Sequence, residues 1–418
     1  MPTKDNMIPG DKKRQKYLGE KGLIVFIAFL SAFIPLSTDL YLPALPGMVK
    51  YFNAPVNLVN LTLVLFFVFF SIGTILWGPL SDKYGRKPIL LLGLILYTIS
   101  SFLCVYSENI YQLITFRVFQ AIGCSSAGAV SMAIVKDVYS GRKREVVLSV
   151  VQSMVMLGPA VAPVIGAFLL NYTPWRGAFW LLAGAGILAL AGCIAMEETI
   201  ENRYKGTILQ TMGRLGVVLK NPGFTSLLIL FSVISIPFMA YIASSSYIYV
   251  NEFGLSEQSF SYYFAVNALF LLFGPIIYMK LSRRFKRNSI IIFCFTMMTV
   301  GGLLICGLGT IKPWVFAVTL LPATIAGSII RPPSAVLMLE QQQTDTGSAS
   351  SLMGCFGIFM GSVGMFLISF DWSNIILTLG LLNLITGLVC GVFWLMIVNK
   401  PFIKQVPDQI SDAGTMAG

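Results

Sequence analysis

The chain runs to 418 residues, 56% of them hydrophobic and 11% charged, with a formal net charge of +11 and no histidine. No soluble domain needs that apolar excess to fill its core, and water-soluble chains of this length split into units joined by polar linkers, so most of this surface faces lipid. The positive residues do not form an aromatic-interleaved basic face, which excludes nucleic acid as their partner. Without histidine, any proton cycling near neutral pH falls to a carboxylate.

The polar start, 1–21, carries Lys4, Lys12, Lys13, Arg14, Lys16 and Lys21 ahead of an apolar run from Gly22. That run is too long for a signal peptide, lacks a small-residue cleavage pattern and is followed by many like it. Taking runs of about 20 residues as spans predicts helices at 22–45, 57–80, 88–107, 110–135, 145–170, 175–196, 223–250, 257–281, 288–310, 314–338, 346–370 and 373–398. Glycine and proline inside these runs do not count against helix in a membrane. The loops test the layout independently. Basic residues gather at 1–21, 83–87, 136–144, 203–220, 280–287 and 400–404, whereas the alternate loops hold only Lys50, Arg176 and Lys312. This asymmetry predicts cytoplasmic N- and C-termini and an even number of spans.

The longest internal polar stretch falls halfway along. The expected organisation is a cytoplasmic segment (1–21), a six-helix bundle (22–196), a cytoplasmic linker (197–222), a second six-helix bundle (223–398) and a cytoplasmic tail (399–418). SDKYGRKPI (81–89) and SRRFKRNSI (282–290) each follow the second helix of their half, as in an internal repeat. The fold class expected is an all-α membrane protein of twelve transmembrane helices in two pseudo-symmetric bundles. The seven cysteines lie in apolar stretches without metal-ligand or redox spacing, so they are expected as free thiols, with no metal site. Nothing has the pattern of a nucleotide-binding P-loop.

Four segments carry chemistry. GPLSDKYGRKP (78–88) sets Gly78, for close helix approach, and Gly85, for a tight reversal, around Asp82, Arg86 and Lys87; the plain alternative is an ordinary positive-inside hairpin. RVFQAIG (117–123) places Arg117 within the fourth helix. GPAVAPVIG (158–166) places Gly158, Pro159, Pro163 and Gly166 in the fifth, either as a hinge allowing close packing and bending between halves or as a merely kinked helix. STDLYLPALP (37–46) ends the first helix, with Pro43 and Pro46 reading as terminators. It holds Asp39 well inside a span, where an ionisable group is functional by default.

The first segment resembles motif A of the major facilitator superfamily, where the charge cluster latches the cytoplasmic side in the outward-facing state. The second is similar to the RxxQxxG motif of proton-coupled members, and the third resembles the antiporter motif. The fourth resembles the helix-1 signature of the Bcr/CflA (MdfA-like) drug:proton antiporters. Together they cover the first 180 residues; the second half joins only through hydropathy and its degenerate repeat, in which Arg283 and Lys286 stand in place of Asp82 and Gly85. One departure is that MdfA-like carriers have a second acid two turns before the position of Asp39, where this chain has Ser31. The resemblance implies a multi-pass transporter of the bacterial inner (cytoplasmic) membrane, working as a monomer without cofactor. It would export small amphipathic compounds by alternating access, driven by the proton gradient.

Helix depth sets Asp39 and Arg117 at similar heights, so they are expected to interact, directly or through water, as the proton-coupling pair. The substrate site is expected from Asp39, Tyr41, Phe238, Tyr241, Tyr247, Asn267 and Arg331, because aromatic rings with a few polar groups suit an amphipathic ligand. Those rings serve packing equally well, and Arg331 either faces the cavity or snorkels to the interface. Glu340 and Asp371 lie near span ends and are expected to be solvated. A dedicated metabolite or metallophore exporter, a proton symporter and a non-transporting receptor or scaffold remain as other readings.

Overall fold

The computed structural model describes residues 15–200, 203, 208–342 and 346–404. Twelve helices are long and apolar enough to cross a membrane. In chain order they are α1 (Gly19–Phe52), α2 (Val56–Tyr84), α3 (Arg86–Val105), α4 (Ile110–Val138), α5 (Gly141–Leu170) and α6 (Arg176–Ala195). The second set is α7 (Pro222–Glu252), α8 (Glu257–Leu281), α9 (Arg287–Leu308), α10 (Pro313–Glu340), α11 (Thr346–Ile368) and α12 (Ile375–Ile397). No strand occurs among the described residues. The even count returns the chain to its starting side, here called the terminal face; the opposite side is the far face.

The helices that bear proline depart from regularity where their chemistry requires it. α1 is α-helical over Gly19–Ser31 and Phe33–Asp39, tightens to a 3-10 turn at Leu42–Ala44 and resumes as Leu45–Phe52. The expectation that Pro43 and Pro46 end α1 therefore fails, since the helix runs on to Phe52. Each sits in the first turn of a new segment, where its missing N–H has no helical partner to lose. α7 breaks at Ile234, three residues before Pro237, and closes in a π turn at Ile248–Glu252. α10 breaks at Ile330, and Pro332 and Pro333 fall in the first turn of its second segment, Arg331–Glu340. The stretch expected as a polar linker contains a further helix, Ile208–Leu219, which packs against α2, α7 and α11.

Packing follows a rule of six. In the first half α1 meets α5, α2 meets α4, and α3 meets both α4 and α6; in the second, α7 meets α11, α8 meets α10, and α9 meets both α10 and α12. Each of these contacts recurs six helices later. The halves meet through α2 with α11 and α5 with α8, again a symmetric pair. α3, α6, α9 and α12 turn rows of large apolar side chains outward, among them Leu92, Ile95, Leu188, Leu303 and Leu395, as lipid-facing helices do.

The core is divided unevenly. One continuous cluster joins the whole first half to the far-face ends of the second-half helices, including Tyr241, Tyr249, Phe260, Phe316, Met365 and Ile376. A separate cluster, including Phe224, Leu228, Ile291, Ile329, Leu352 and Trp394, fills the terminal-face part of the second half alone. The halves thus share a core at the far face and part at the terminal face.

Candidate functional site

At the terminal face, α2 turns into α3 through Gly85, whose φ of 109° is open to glycine and strained for other residues. Arg86 opens α3 and ties three helix ends together. Its guanidinium meets Asp82 at 2.5 Å and Asp137, at the end of α4, at 2.8 Å, and donates to the Ser81 hydroxyl at 2.7 Å. The Glu198 carboxylate accepts the backbone N–H groups of Arg86 (3.0 Å) and Lys87 (3.2 Å), capping the positive end of α3. Lys87 Nζ donates to the Ile194 carbonyl at 2.7 Å. None of these partners belongs to the second half: all lie in the first half except Glu198, two residues beyond it. Gly78 was expected to mediate a close helix approach, but a Cβ there would meet nothing within 4 Å, because the halves are apart at this face.

Inside the first half, Arg117 is wholly buried. It donates to the Ser37 carbonyl (2.9 Å), to Gln120 Oε1 (2.6 Å) and to the Tyr41 hydroxyl (3.2 Å). It also lies over the rings of Phe66 (4.2 Å), Tyr41 (4.6 Å) and Phe179 (5.8 Å). The network continues through Tyr41 to Thr62, Gln120 to Ser101 and Ser37 to Tyr97. Asp39 is 3% exposed and accepts from the Thr38 hydroxyl at 2.9 Å. Of the two forms expected for the Asp39–Arg117 interaction, direct or through water, the direct one is not formed. Depth arithmetic gives height but not azimuth: Ser37 and Tyr41, one turn apart, face Arg117, and Asp39 lies about 200° round the helix from Ser37.

α5 remains one helix with Pro159 and Pro163 inside it. Its two glycines were expected to serve the contact between halves, yet they seat α5 on α1. A Cβ at Gly158 would collide with the Pro35 ring, and one at Gly166 with the Leu40 carbonyl. The two contacts bracket Asp39 in the sequence of α1, while α5 as a whole packs against α8 of the other half.

The second half holds a cavity of about 70 Å³, walled by α7, α8, α9, α10 and α12. Phe231, Ser235, Phe238, Tyr241, Thr324 and Arg331 are among its lining residues. Arg331 therefore faces the cavity rather than the interface, with its guanidinium 5.4 Å from the centre of the Phe238 ring. Asn267 stands one layer behind, bonded to Thr324 at 3.1 Å. Tyr241 stacks on Phe264 at 5.7 Å. The residues expected to form one substrate site are distributed: Phe238, Tyr241 and Arg331 line the cavity, Asp39 and Tyr41 lie in the first half, and Tyr247 is buried in the far-face core. Ser235, Ser334 and Asn383 line the cavity without having been singled out; small polar residues in apolar helices are the only trace they leave in sequence. Asp137 and Glu198, which complete the hairpin at the terminal face, were missed for want of any local pattern. Glu340 and Asp371 are exposed, as expected. The seven cysteines are free, and no cluster suited to a metal ion occurs among the described residues.

A second, wider cavity of about 350 Å³ lies at the far face, between α1, the α5–α6 turn and the start of α8, with Tyr51, Trp175 and Glu257 on its walls. None of the expected site residues reaches it.

The fold is similar to that of a D-xylose-proton symporter, with a TM-score of 0.74 at 15% identity over 92% of this chain and 98% of that one. Among curated proteins, an uncharacterized MFS-type transporter of Bacillus subtilis, YdgK, is 29% identical over 82% of this chain and 87% of its own length. The multidrug transporter MdfA of Edwardsiella ictaluri is 28% identical over 82% and 83%. Residues 25–365, which run from α1 almost to the end of α11, match the family description, and the chain belongs to the Major Facilitator Superfamily.

Proposed function

We propose that this protein is a secondary transporter of the bacterial inner membrane that exports small amphipathic compounds in exchange for protons. The observation that carries the reading is a carboxylate, Asp39, buried in α1 of a molecule whose halves share a core at one face only. Similarity to multidrug transporter MdfA supports export as the direction. Loop charge supports a cytoplasmic terminal face, so the parted side of the molecule receives substrate from the cell interior. The protein works as a monomer and takes its energy from the proton gradient, without a cofactor.

Rocking of the halves about their α2–α11 and α5–α8 contacts would open the far face and close the terminal one. Gly78, now without a neighbour, then gains one, and the Arg86 hairpin meets the second half. Asp39 binds a proton in the outward state and releases it inward as substrate enters. Each charge crossing 100 mV supplies about 2.3 kcal/mol, and each pH unit adds about 1.4 kcal/mol. One proton per cycle therefore sustains a gradient of tens-fold from the potential alone and of roughly several hundred-fold with one pH unit added.

Asp39→Asn tests this in reconstituted vesicles carrying a pH-sensitive dye and a labelled substrate. The variant is expected to fold, because it removes an intramembrane charge, and to keep downhill exchange while losing uphill export and substrate-induced proton release. Uphill accumulation with wild-type pH dependence would falsify the coupling role of Asp39.

A further inference from the structure

The terminal-face half of the second bundle carries intramembrane charge of one sign. Between Glu257, at the start of α8, and Glu340, at the end of α10, the sequence contains no acidic residue. Arg331 lies within that stretch, at the joint where α10 restarts. The two prolines that follow it fix its place at the cavity wall rather than at a freely turning helix position. Its guanidinium makes no hydrogen bond and no ion pair with any described residue; its one recorded partner is the face of Phe238. Asp39 is not its hidden counter-ion. Measured along the helices at 1.5 Å per residue, Asp39 is roughly 30 Å from the terminal end of α1, and Arg331 roughly 14 Å from that of α10.

Arg117, wholly buried, spends its terminal N–H groups on a carbonyl, an amide and a phenol, whereas Arg331 is exposed. Arg331 instead presents a planar fork to open space, over the Phe238 ring and in a cavity that Phe231, Ser235 and Tyr241 also line. That space is too small for a drug-sized body, which needs about 300 Å³ or more, but suits a planar head group.

We propose that this cavity is an anion subsite, in which Arg331 binds the carboxylate of an amphipathic acid bidentately while the flanking rings receive its aromatic portion. The assignment rests on the transport reading above for its purpose and narrows it: the substrates include carboxylates or zwitterions rather than lipophilic cations alone. Asp39, by titrating in the other half, then couples to the substrate without competing for its charge.

Binding to the purified full chain in detergent, measured by thermal shift without any gradient, separates this proposal from proton coupling. The probes are benzoate, 1-naphthoate and indole-3-acetate, each against its own amide. At least one carboxylate is expected to bind the wild type more tightly than its amide. Arg331→Gln should weaken that carboxylate by about tenfold or more and leave the amide unchanged. Arg331→Lys, which keeps the charge but not the fork, should fall between. Carboxylates that bind the wild type no better than their amides overturn the proposal, as does a preference that survives in Arg331→Gln. If Arg331→Gln does not fold, the wild-type preference and its reduction in Arg331→Lys decide the matter. A protein that shows the preference but exports nothing sinks the export reading and leaves the subsite standing.

Discussion

Arg117 and Arg331 bring the same charge to membrane depth and are accommodated in opposite ways. The first is enclosed by acceptors and rings within one half; the second stands open in a cavity. Enclosure fixes the spacing of α1 and α4, whereas openness leaves a site for something that arrives. Arg86 is a third case, a cation held between two carboxylates at the terminal ends of α2 and α4. Removing it leaves Asp82 and Asp137 facing one another with no cation between them, which is costly because each was stabilised by charge-assisted bonds of about 1.5–3 kcal/mol. Arg86→Ala is therefore expected to insert in the membrane, to melt several degrees lower in detergent and to export several-fold more slowly. Asp137→Asn should act in the same direction but less, since Asp82 remains. Wild-type export by Arg86→Ala at wild-type abundance would show that the hairpin has no part in the cycle.

At the scale of elements, α5 and α1 form the tightest joint near Asp39. A valine at position 166 would set its Cβ on the Leu40 carbonyl, a backbone atom that cannot swing aside. Overpacking of this kind costs about 1–3 kcal/mol. Gly166→Val is expected to lower the melting temperature and slow export, and Gly166→Ala, which introduces the same Cβ, should do so nearly as much; melting curves in detergent check both. The glycines were legible in the sequence as a place of close approach, but their partner was not, because a motif does not say which neighbour it serves. Hydropathy and loop charge made the twelve spans readable, since each follows from the solvent around it. Pro46 was misread because a proline that ends one helical segment and a proline that begins the next look alike in one dimension. Glu198 and Asp137 were invisible for a related reason: each completes the Arg86 cluster from more than fifty residues away in sequence. Asp39 was recognisable by its type and depth, whereas its orientation away from Arg117 depends on helix azimuth.

For the whole molecule, the division of the core is the central fact. A transporter with both faces sealed, or with one core running through both halves at both faces, could not alternate. Here the far face is closed by shared apolar packing and by a polar clasp, Asn60 Nδ2 donating to the Ser369 hydroxyl at 2.9 Å between α2 and the end of α11. A bond of this sort contributes about 1 kcal/mol, enough to bias the resting state and too little to prevent release. Asn60 Oδ1 has no partner in this arrangement, which makes the closed clasp less stable than a fully satisfied pair. If the far face must open once per cycle, tethering these positions must stop transport. Replacing the seven native cysteines and introducing Asn60→Cys with Ser369→Cys allows the pair to be bridged by a short, reducible bis-thiosulfonate reagent. The bridged protein is expected to lose export completely, to regain it on reduction and to keep its ligand binding throughout, because the terminal face stays open. Each single-cysteine variant given the same reagent should continue to export. Continued export by the fully bridged protein would mean that substrate leaves without parting α2 from α11, and the rocking mechanism would have to be abandoned.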